Sequence, residues 1–405
     1  MRGVAWSYRE PPLYIDNLLA IRGLCALGVA VGHRIGASEL SFRWYLENGW
    51  EAGATSHAIF SALLPTTGKN FVLFFFVHSG YLMGKIFFMD AYGLDRRGLV
   101  RFYRGRFLRI APLLYLNLLV CLLILPSANP TIVEAMGDFL FVNNFTGRDI
   151  NGVTWSLSWE MQYYLIAPFV FAIFALPSKK ALLQVIALAF VFEIASVLGM
   201  RDLPPTEFFF YFLLGFAVNL ALRHFDARRF CGSTALAVVG GFFVANGLYY
   251  VLFNAGLERV AANPFIGLAA AFTIYLLELP RADASVPQPY ERYGTLRLLT
   301  LRFWTWMGIL SYGIYLWHLP ISLLGTSFAV ETARMLIDSL GGIDAGWQRT
   351  LIFHGVQVPM ILGVTLLVSA ITFITVEIRF RPHLYKWDSS RYVRSMVAAV
   401  AKRPG

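Results

Sequence analysis

Charge is what this sequence has least of. Only 14% of its 405 residues are Asp, Glu, Lys or Arg, against 57% hydrophobic, where a soluble domain carries roughly a quarter charged. Long apolar runs recur along the whole chain and mean hydropathy is +0.59, which excludes a soluble protein held by one anchor. Cysteine is scarce as well. Of the three, Cys25 and Cys121 fall in apolar runs and Cys231 in a basic stretch, so no disulfide is expected. GxxxxGK[ST] and HExxH are missing, which argues against P-loop nucleotide hydrolysis and a zincin-type metal site. No GxSxG elbow is present. There is no internal repeat, no low-complexity segment and no pair of matching broken helices of the kind that marks many transporters. The first apolar run is too long for a cleavable signal peptide, and no small-residue cleavage site follows it.

What is there is a set of apolar runs of roughly 20 residues without two-residue alternation. In lipid only helices and closed barrels satisfy the backbone, and this pattern selects helices. The expected fold is an all-α membrane protein, a polytopic bundle of about ten transmembrane helices at 15–35, 69–89, 107–125, 160–176, 181–199, 206–222, 233–253, 263–279, 304–326 and 354–377. With the N-terminus inside, 25 of the 34 Lys and Arg fall on the cytoplasmic side, eight on the outer side and Arg22 in the membrane. That asymmetry places both termini in the cytoplasm. It also accounts for most of the net charge of +10 without nucleic acid as a partner. Residues 1–378 form one membrane domain. The short basic tail 379–405 suits contact with anionic membrane lipid. The outer loops 36–68, 126–159 and 327–353 are the longest, and the Trp and Tyr of the first fit an aromatic interface belt or a substrate groove.

Five stretches carry candidate chemistry. In the first helix Arg22 and His33 lie eleven positions apart, within roughly 20° of three whole turns and ~16 Å along the axis. Both therefore project from one face. Ionisable residues inside a span face a protein interior or a water-filled cavity. Snorkelling of Arg22 and a satisfied His33 explain them as well as an anion-holding arginine and a general base do. The basic run holding Arg96, Arg97 and Arg101 fits positive-inside topology. Arg104, Arg106 and Arg109 lead straight into a span and suit a phosphorylated ligand at the membrane face. Residues 74–84, FFFVHSGYLMG, allow close helix packing or form a polar notch of His78 and Ser79 beside the first helix. Residues 154–168, TWSLSWEMQYYLIAP, place Glu160 near the outer face at the start of a span, with Ser156 or Ser158 as a helix N-cap. In SYGIYLWHLP, residues 311–320, Ser311 and His318 share a face. A lone histidine there is more often a satisfied core residue than a catalyst.

Taken in order, Arg22-x10-His33, FFFVHSGYL at 74–82, RGRFLRIAP at 104–112, WSLSWEMQYYLIAP at 155–168 and LSYGIYLWHLP at 310–320 resemble the acyltransferase-3 family of integral-membrane O-acyltransferases, of the O-antigen and exopolysaccharide O-acetylase type. The likeness runs over roughly residues 12–382. It implies transfer of an acyl group, most often acetyl, from cytoplasmic acyl-CoA to a hydroxyl of a saccharide or glycolipid acceptor at a bacterial inner membrane. Acyl-CoA is then a donor substrate, with no permanently bound cofactor and no metal, and polysaccharide-assembly proteins are possible partners. The resemblance assigns catalysis to His33 with Arg22, CoA phosphates to Arg104, Arg106 and Arg109, and substrate contacts to Ser79, Trp155, Glu160, Tyr164 and His318. The sequence departs from the family at Leu73, where many members are acidic, and at His78, commonly aliphatic, so a polar role is shifted onto His78 or absent. Some members carry a further SGNH hydrolase-like domain. About 25 residues after the last expected span leave no room for one, and the chain is expected to act alone or to hand over to another protein. The rival from another class is a transporter or flippase of a lipid-linked saccharide; a non-catalytic scaffold is a third reading.

Overall fold

The computed structural model describes residues 17–35, 68–88, 93–125, 129–174, 178–198, 206–225, 261–278, 302–339 and 346–380, with isolated positions between 241 and 257. The described chain is helical and holds no strand. In chain order the helices are α1 (Asn17–Ile35), α2 (Gly68–Phe88), α3 (Arg96–Ile124), α4 (Ile132–Phe139), α5 (Asn143–Thr146), α6 (Trp155–Phe174), α7 (Lys179–Val197), α8 (Thr206–His224), α9 (Asn263–Glu278), α10 (Arg302–Ser339) and α11 (Gly346–Thr372). A π-helical turn, Phe373–Glu377, and the short α12, Ile378–Phe380, prolong α11. Among the described residues six helical stretches are long and apolar enough to cross a membrane: α2, α3, α6, α7, Trp306–Ser339 and Leu351–Phe380. The chain is thus a multi-pass helical membrane protein. Most of the expected span 233–253, the loop 36–67 and the tail beyond residue 380 lie outside the described residues.

Several expected boundaries are corrected. Helix α3 begins at Arg96 rather than near 107, because the Asp95 side chain accepts the Gly98 N–H at 3.0 Å and caps the basic segment. Helix α10 does not stop at 326. Its last turns are amphipathic, with Ala329, Ala333 and Ile337 buried and Glu331, Arg334 and Asp338 exposed, a four-residue spacing that sustains a helix beyond the apolar run. The loop after α3 is folded too. A capping box of Thr131 and Glu134 starts α4. Buried Asp138 then gathers the Ile150 N–H at 2.7 Å, Asn143 Nδ2 at 2.7 Å and Thr154 Oγ1 at 2.6 Å. Helix α6 starts at Trp155, whose N–H is taken by Asp149 Oδ2 at 3.2 Å. Ser156 and Ser158 therefore lie inside the helix and not at its N-cap.

Without a hydrophobic drive between helices in lipid, close approach depends on small residues, and two glycine pairs decide this architecture. A Cβ on Gly80 of α2 would run into the Phe212 backbone of α8, and one on Gly215 of α8 into the Val77 carbonyl. A Cβ on Gly23 of α1 would meet Met307 and Gly308, and one on Gly308 of α10 would meet the Leu19 carbonyl. Helix α1 is thereby pressed on α10, and α10 on α11. The larger apolar core gathers α2, α3 and α6 to α9. A smaller one of Ala26, Ala30, Met307, Leu310, Ile314 and Phe373 joins α1, α10 and the end of α11. Buried Glu278 of α9 is matched by Lys85 Nζ at 2.7 Å and Tyr81 OH at 2.6 Å from α2.

Pro320 has no N–H, so the Leu316 carbonyl one turn earlier in α10 loses its helical donor. Asn151 Nδ2 at 3.0 Å and Asn117 Nδ2 at 3.2 Å replace it. A missing hydrogen bond in one helix thus ties α3 and the loop before α6 to the place where the candidate site lies.

Candidate active site

The α1–α10 contact brings His33 and His318 together. His33 Nδ1 lies 2.7 Å from His318 Nε2, and the rings stack with centroids 5.0 Å apart and planes 3° from parallel. The other nitrogen of His318, Nδ1, is 2.7 Å from the Tyr315 carbonyl and 3.2 Å from that of Ile314. A carbonyl only accepts, so Nδ1 carries the proton. Nε2 of a neutral His318 is then an acceptor, and the proton between the rings belongs to His33 Nδ1. This leaves the lone pair of His33 on Nε2. That atom faces the start of α2, where a Cβ on Gly68 would meet it at 3.4 Å. Two backbone carbonyls thus set the tautomer of a histidine on another helix.

A small cleft of about 60 Å³, which neither histidine lines, reaches Tyr315, one turn before His318 on α10. Arg22 of α1, His78 and Ser79 of α2 and Arg109 of α3 line it. Ser156 and Glu160 of α6 and Ser311, Tyr312 and Tyr315 of α10 complete the lining. Tyr315 is the wall between cleft and histidines, with its ring 6.0 Å from that of His318. It donates to the Val153 carbonyl at 2.8 Å and meets Ser156 Oγ at 2.7 Å. Tyr312 donates to the Ile110 carbonyl at 2.7 Å. Glu160 is held by Ser79 Oγ at 2.6 Å and by the Tyr164 hydroxyl. His78 is buried, and its Nε2 has no hydrogen-bond partner among the described residues.

Most candidate residues of the sequence meet here. Arg22 and His33 both face α10, at the cleft and at the histidine pair respectively. Ser79, Glu160 and Tyr164, from two separate motifs, form one hydrogen-bonded group. Glu160 lies in the same cleft as Arg22 and Arg109, deeper than the start of a span. Trp155 is half-buried and packs against the rings of Phe76 and Phe208. The three arginines are not brought together, since residues 104, 106 and 109 point in different directions around α3 at ~100° per residue. Arg109 enters the cleft, Arg106 lies 5.7 Å from the Tyr164 ring centroid, and Arg104 is exposed. An open depression beside Arg96, Arg97 and Arg101 continues the basic face. No group of three His, Cys, Asp or Glu side chains able to hold a metal occurs among the described residues. Sequence reading missed Tyr315, although Ser311, Tyr315, His318 and Ser322 follow the four-three-four spacing of one helix face.

Comparison with known proteins agrees with the geometry. A family model described as an acyltransferase domain matches residues 14–376. The peptidoglycan O-acetyltransferase OatA of Listeria monocytogenes is 26% identical over 282 residues, 62% of this chain and 44% of that protein. The O-acetyltransferase OatA of Staphylococcus aureus is 19% identical over 352 residues, 79% of this chain and 52% of that protein. The chain therefore spans about half the length of the relatives it matches. No solved structure matches it significantly. The family match covers nearly the whole chain and takes in every helix that builds the cleft and the histidine pair, and the chain belongs to the acyltransferase-3 family.

Proposed function

We propose that the protein is a membrane O-acyltransferase that moves a short acyl group, acetyl above all, from acyl-CoA to a hydroxyl of a sugar in a surface polysaccharide, glycolipid or related acceptor. The observation that carries the proposal is the lone pair left on His33 Nε2 by the chain from the Tyr315 carbonyl through His318. The OatA relatives, named as O-acetyltransferases, support the acyl class. We place the chain in the inner membrane with about ten spans and both termini in the cytoplasm, as the distribution of basic residues favours. Arg104, exposed at the basic face, and Arg106 and Arg109, further in, contact separate phosphates of CoA along α3. The pantetheine arm then runs through the cleft past Arg22 and carries the thioester beyond Tyr315 to His33. The cleft is small, which favours a short acyl group. Ser79, Trp155, Glu160, Tyr164 and His318 shape or hold the ground around the reacting groups.

His33 Nε2 takes the proton of the acceptor hydroxyl as its oxygen attacks the thioester carbonyl. The C–S bond breaks, and the CoA sulfur leaves with the proton returned by His33. His318 holds His33 in the tautomer that does this and is a positioning residue. A general base contributes about 10²–10⁴ in rate. His33→Ala is therefore expected to lower transfer of label from radiolabelled acetyl-CoA to a saccharide acceptor by that factor, at unchanged membrane expression. Label incorporation at the wild-type rate would remove His33 from the chemistry. A flippase of lipid-linked saccharides would incorporate no label even as the wild type.

A further inference from the structure

One polar cluster lies outside the cleft. Arg34 follows His33 on α1. Its Nη1 donates to Ser322 Oγ and to Thr326 Oγ1, both at 3.1 Å, and its Nη2 donates to Gln357 Oε1 at 2.5 Å. All three acceptors are neutral. No carboxylate among the described residues pairs with this half-buried guanidinium. Two donors in the cluster have no acceptor among the described residues, Arg34 Nε and Nε2 of Gln357, and Gln357 is only 1% exposed. His354, one turn before Gln357 on α11, is half-buried, and its Nδ1 also has no partner among the described residues.

A positive charge among neutral acceptors, with two further N–H donors sealed from solvent, is a poor end state for a folded protein. Each unmet buried donor is destabilising, and a guanidinium partly withdrawn from water is best met by an anion. Three helices, α1, α10 and α11, have converged on donors. The ligand such an arrangement recognises is an oxyanion held by charge-assisted hydrogen bonds. Ser322 and Thr326 follow His318 at one and two turns along α10, ~6 and ~12 Å further on. That is the reach from a reacting hydroxyl to a charged substituent on the same or the adjoining sugar unit.

We infer that Arg34 and Gln357 form an anion subsite for the acceptor, which binds the carboxylate of an acidic saccharide while His33 addresses one of its hydroxyls. The inference rests on the acyltransferase reading for the word acceptor, but binding of the carboxylate does not depend on turnover.

The test is equilibrium binding of p-nitrophenyl β-D-glucuronide and p-nitrophenyl β-D-glucoside to the full-length protein purified in detergent, without acyl-CoA. The wild type is expected to bind the glucuronide more tightly than the glucoside. Gln357→Glu changes no heavy-atom count and supplies Arg34 with an internal carboxylate, so it preserves packing while closing the subsite. It is expected to weaken the glucuronide by more than about tenfold and to leave the glucoside unchanged. Arg34→Lys, which keeps the charge but loses the planar fork, is expected to act in the same direction with a smaller change. Equal wild-type affinity for the two sugars, or a preference that survives in Gln357→Glu, would overturn the subsite. Acetyl transfer to both sugars, measured separately, distinguishes the two claims. Loss of all transfer with the glucuronide preference intact refutes the acyltransferase reading and leaves the anion site standing.

Discussion

His318 is the residue through which the site is most open to test. Its two nitrogens are committed, one to backbone carbonyls and one to His33, so its removal frees the orientation and tautomer of His33 without touching substrate. His318→Ala is expected to lower kcat roughly a hundredfold with the KM for acyl-CoA unchanged. His318→Gln, which can present an amide oxygen to His33 Nδ1, is expected to recover part of the loss. A rise in donor KM with kcat intact would make His318 a binding residue instead. Asp138 allows a test of stability. It lies in α4, between the long apolar helices α3 and α6, and burial pushes its carboxyl above the ordinary carboxylate range, against the hydrogen bonds from Thr154, Ile150 and Asn143, which pull it down. The unfolded chain then loses this proton first as pH rises, so the contribution of Asp138 to stability is greatest below about pH 4 and falls until the raised folded value is passed. Asp138→Asn sets an amide N–H₂ against one of its donors. It is expected to destabilise the protein by about 2 kcal/mol near neutral pH, and the gap to wild type is expected to widen as the pH is lowered. A melting series in detergent that shows a constant gap would refute the raised value.

At the scale of the helices, Gly308 is the position on which the site depends. A Cβ there meets the Leu19 carbonyl, so even Gly308→Ala must push α1 away from α10. A shift of about 1 Å at a catalytic pair is worth about a hundredfold in rate. Gly308→Ala is expected to lose activity on that scale while remaining folded. Gly363→Ala on α11, where a Cβ would meet nothing within 4 Å, is expected to behave as wild type; equal activity of the two variants would show that the close crossing does not set the geometry. The elements were legible in the sequence where composition alone decides them. Apolar runs announced α2, α7 and α8, and the Arg22–His33 spacing announced a shared face. Helix ends were not legible where a single side chain sets them, as Asp95 does for α3 and Asp149 for α6. Nor was the pairing of His33 with His318 legible, 285 positions apart, because it depends on two glycines in separate helices. The Ser79–Glu160–Tyr164 group was visible only as two motifs; their contact across α2 and α6 is a tertiary fact.

At the scale of the molecule, and among the described residues, the basic turns that open α3 and the folded loop of α4 and α5 lie at opposite ends of α3. Arg97 is exposed on the first and Arg148 on the second. In the proposed topology, Arg97→Cys is expected to react with a membrane-impermeant maleimide only in inverted vesicles and Arg148→Cys only in intact cells. Cys25 and Cys121 are buried and contribute little background, and the third native thiol is removed by placing both variants in a Cys231→Ser chain. The opposite pattern of labelling would invert the proposed route of acyl-CoA.

Helix α3 joins these scales. It runs 29 residues from Arg96 to Ile124, ~43 Å at 1.5 Å per residue, longer than the ~30 Å hydrocarbon layer. Its basic turns therefore stand clear of the lipid while remaining rigidly continuous with the turn that carries Arg109 into the cleft. Such a shaft transmits angular phase. One residue inserted between Arg101 and Arg104 would turn Arg97 and Arg101 by ~100° relative to Arg109 without altering any residue in the cleft. The exposed arginines and the cleft would then be two intact halves set out of register, as a key is when its bit is twisted on its stem.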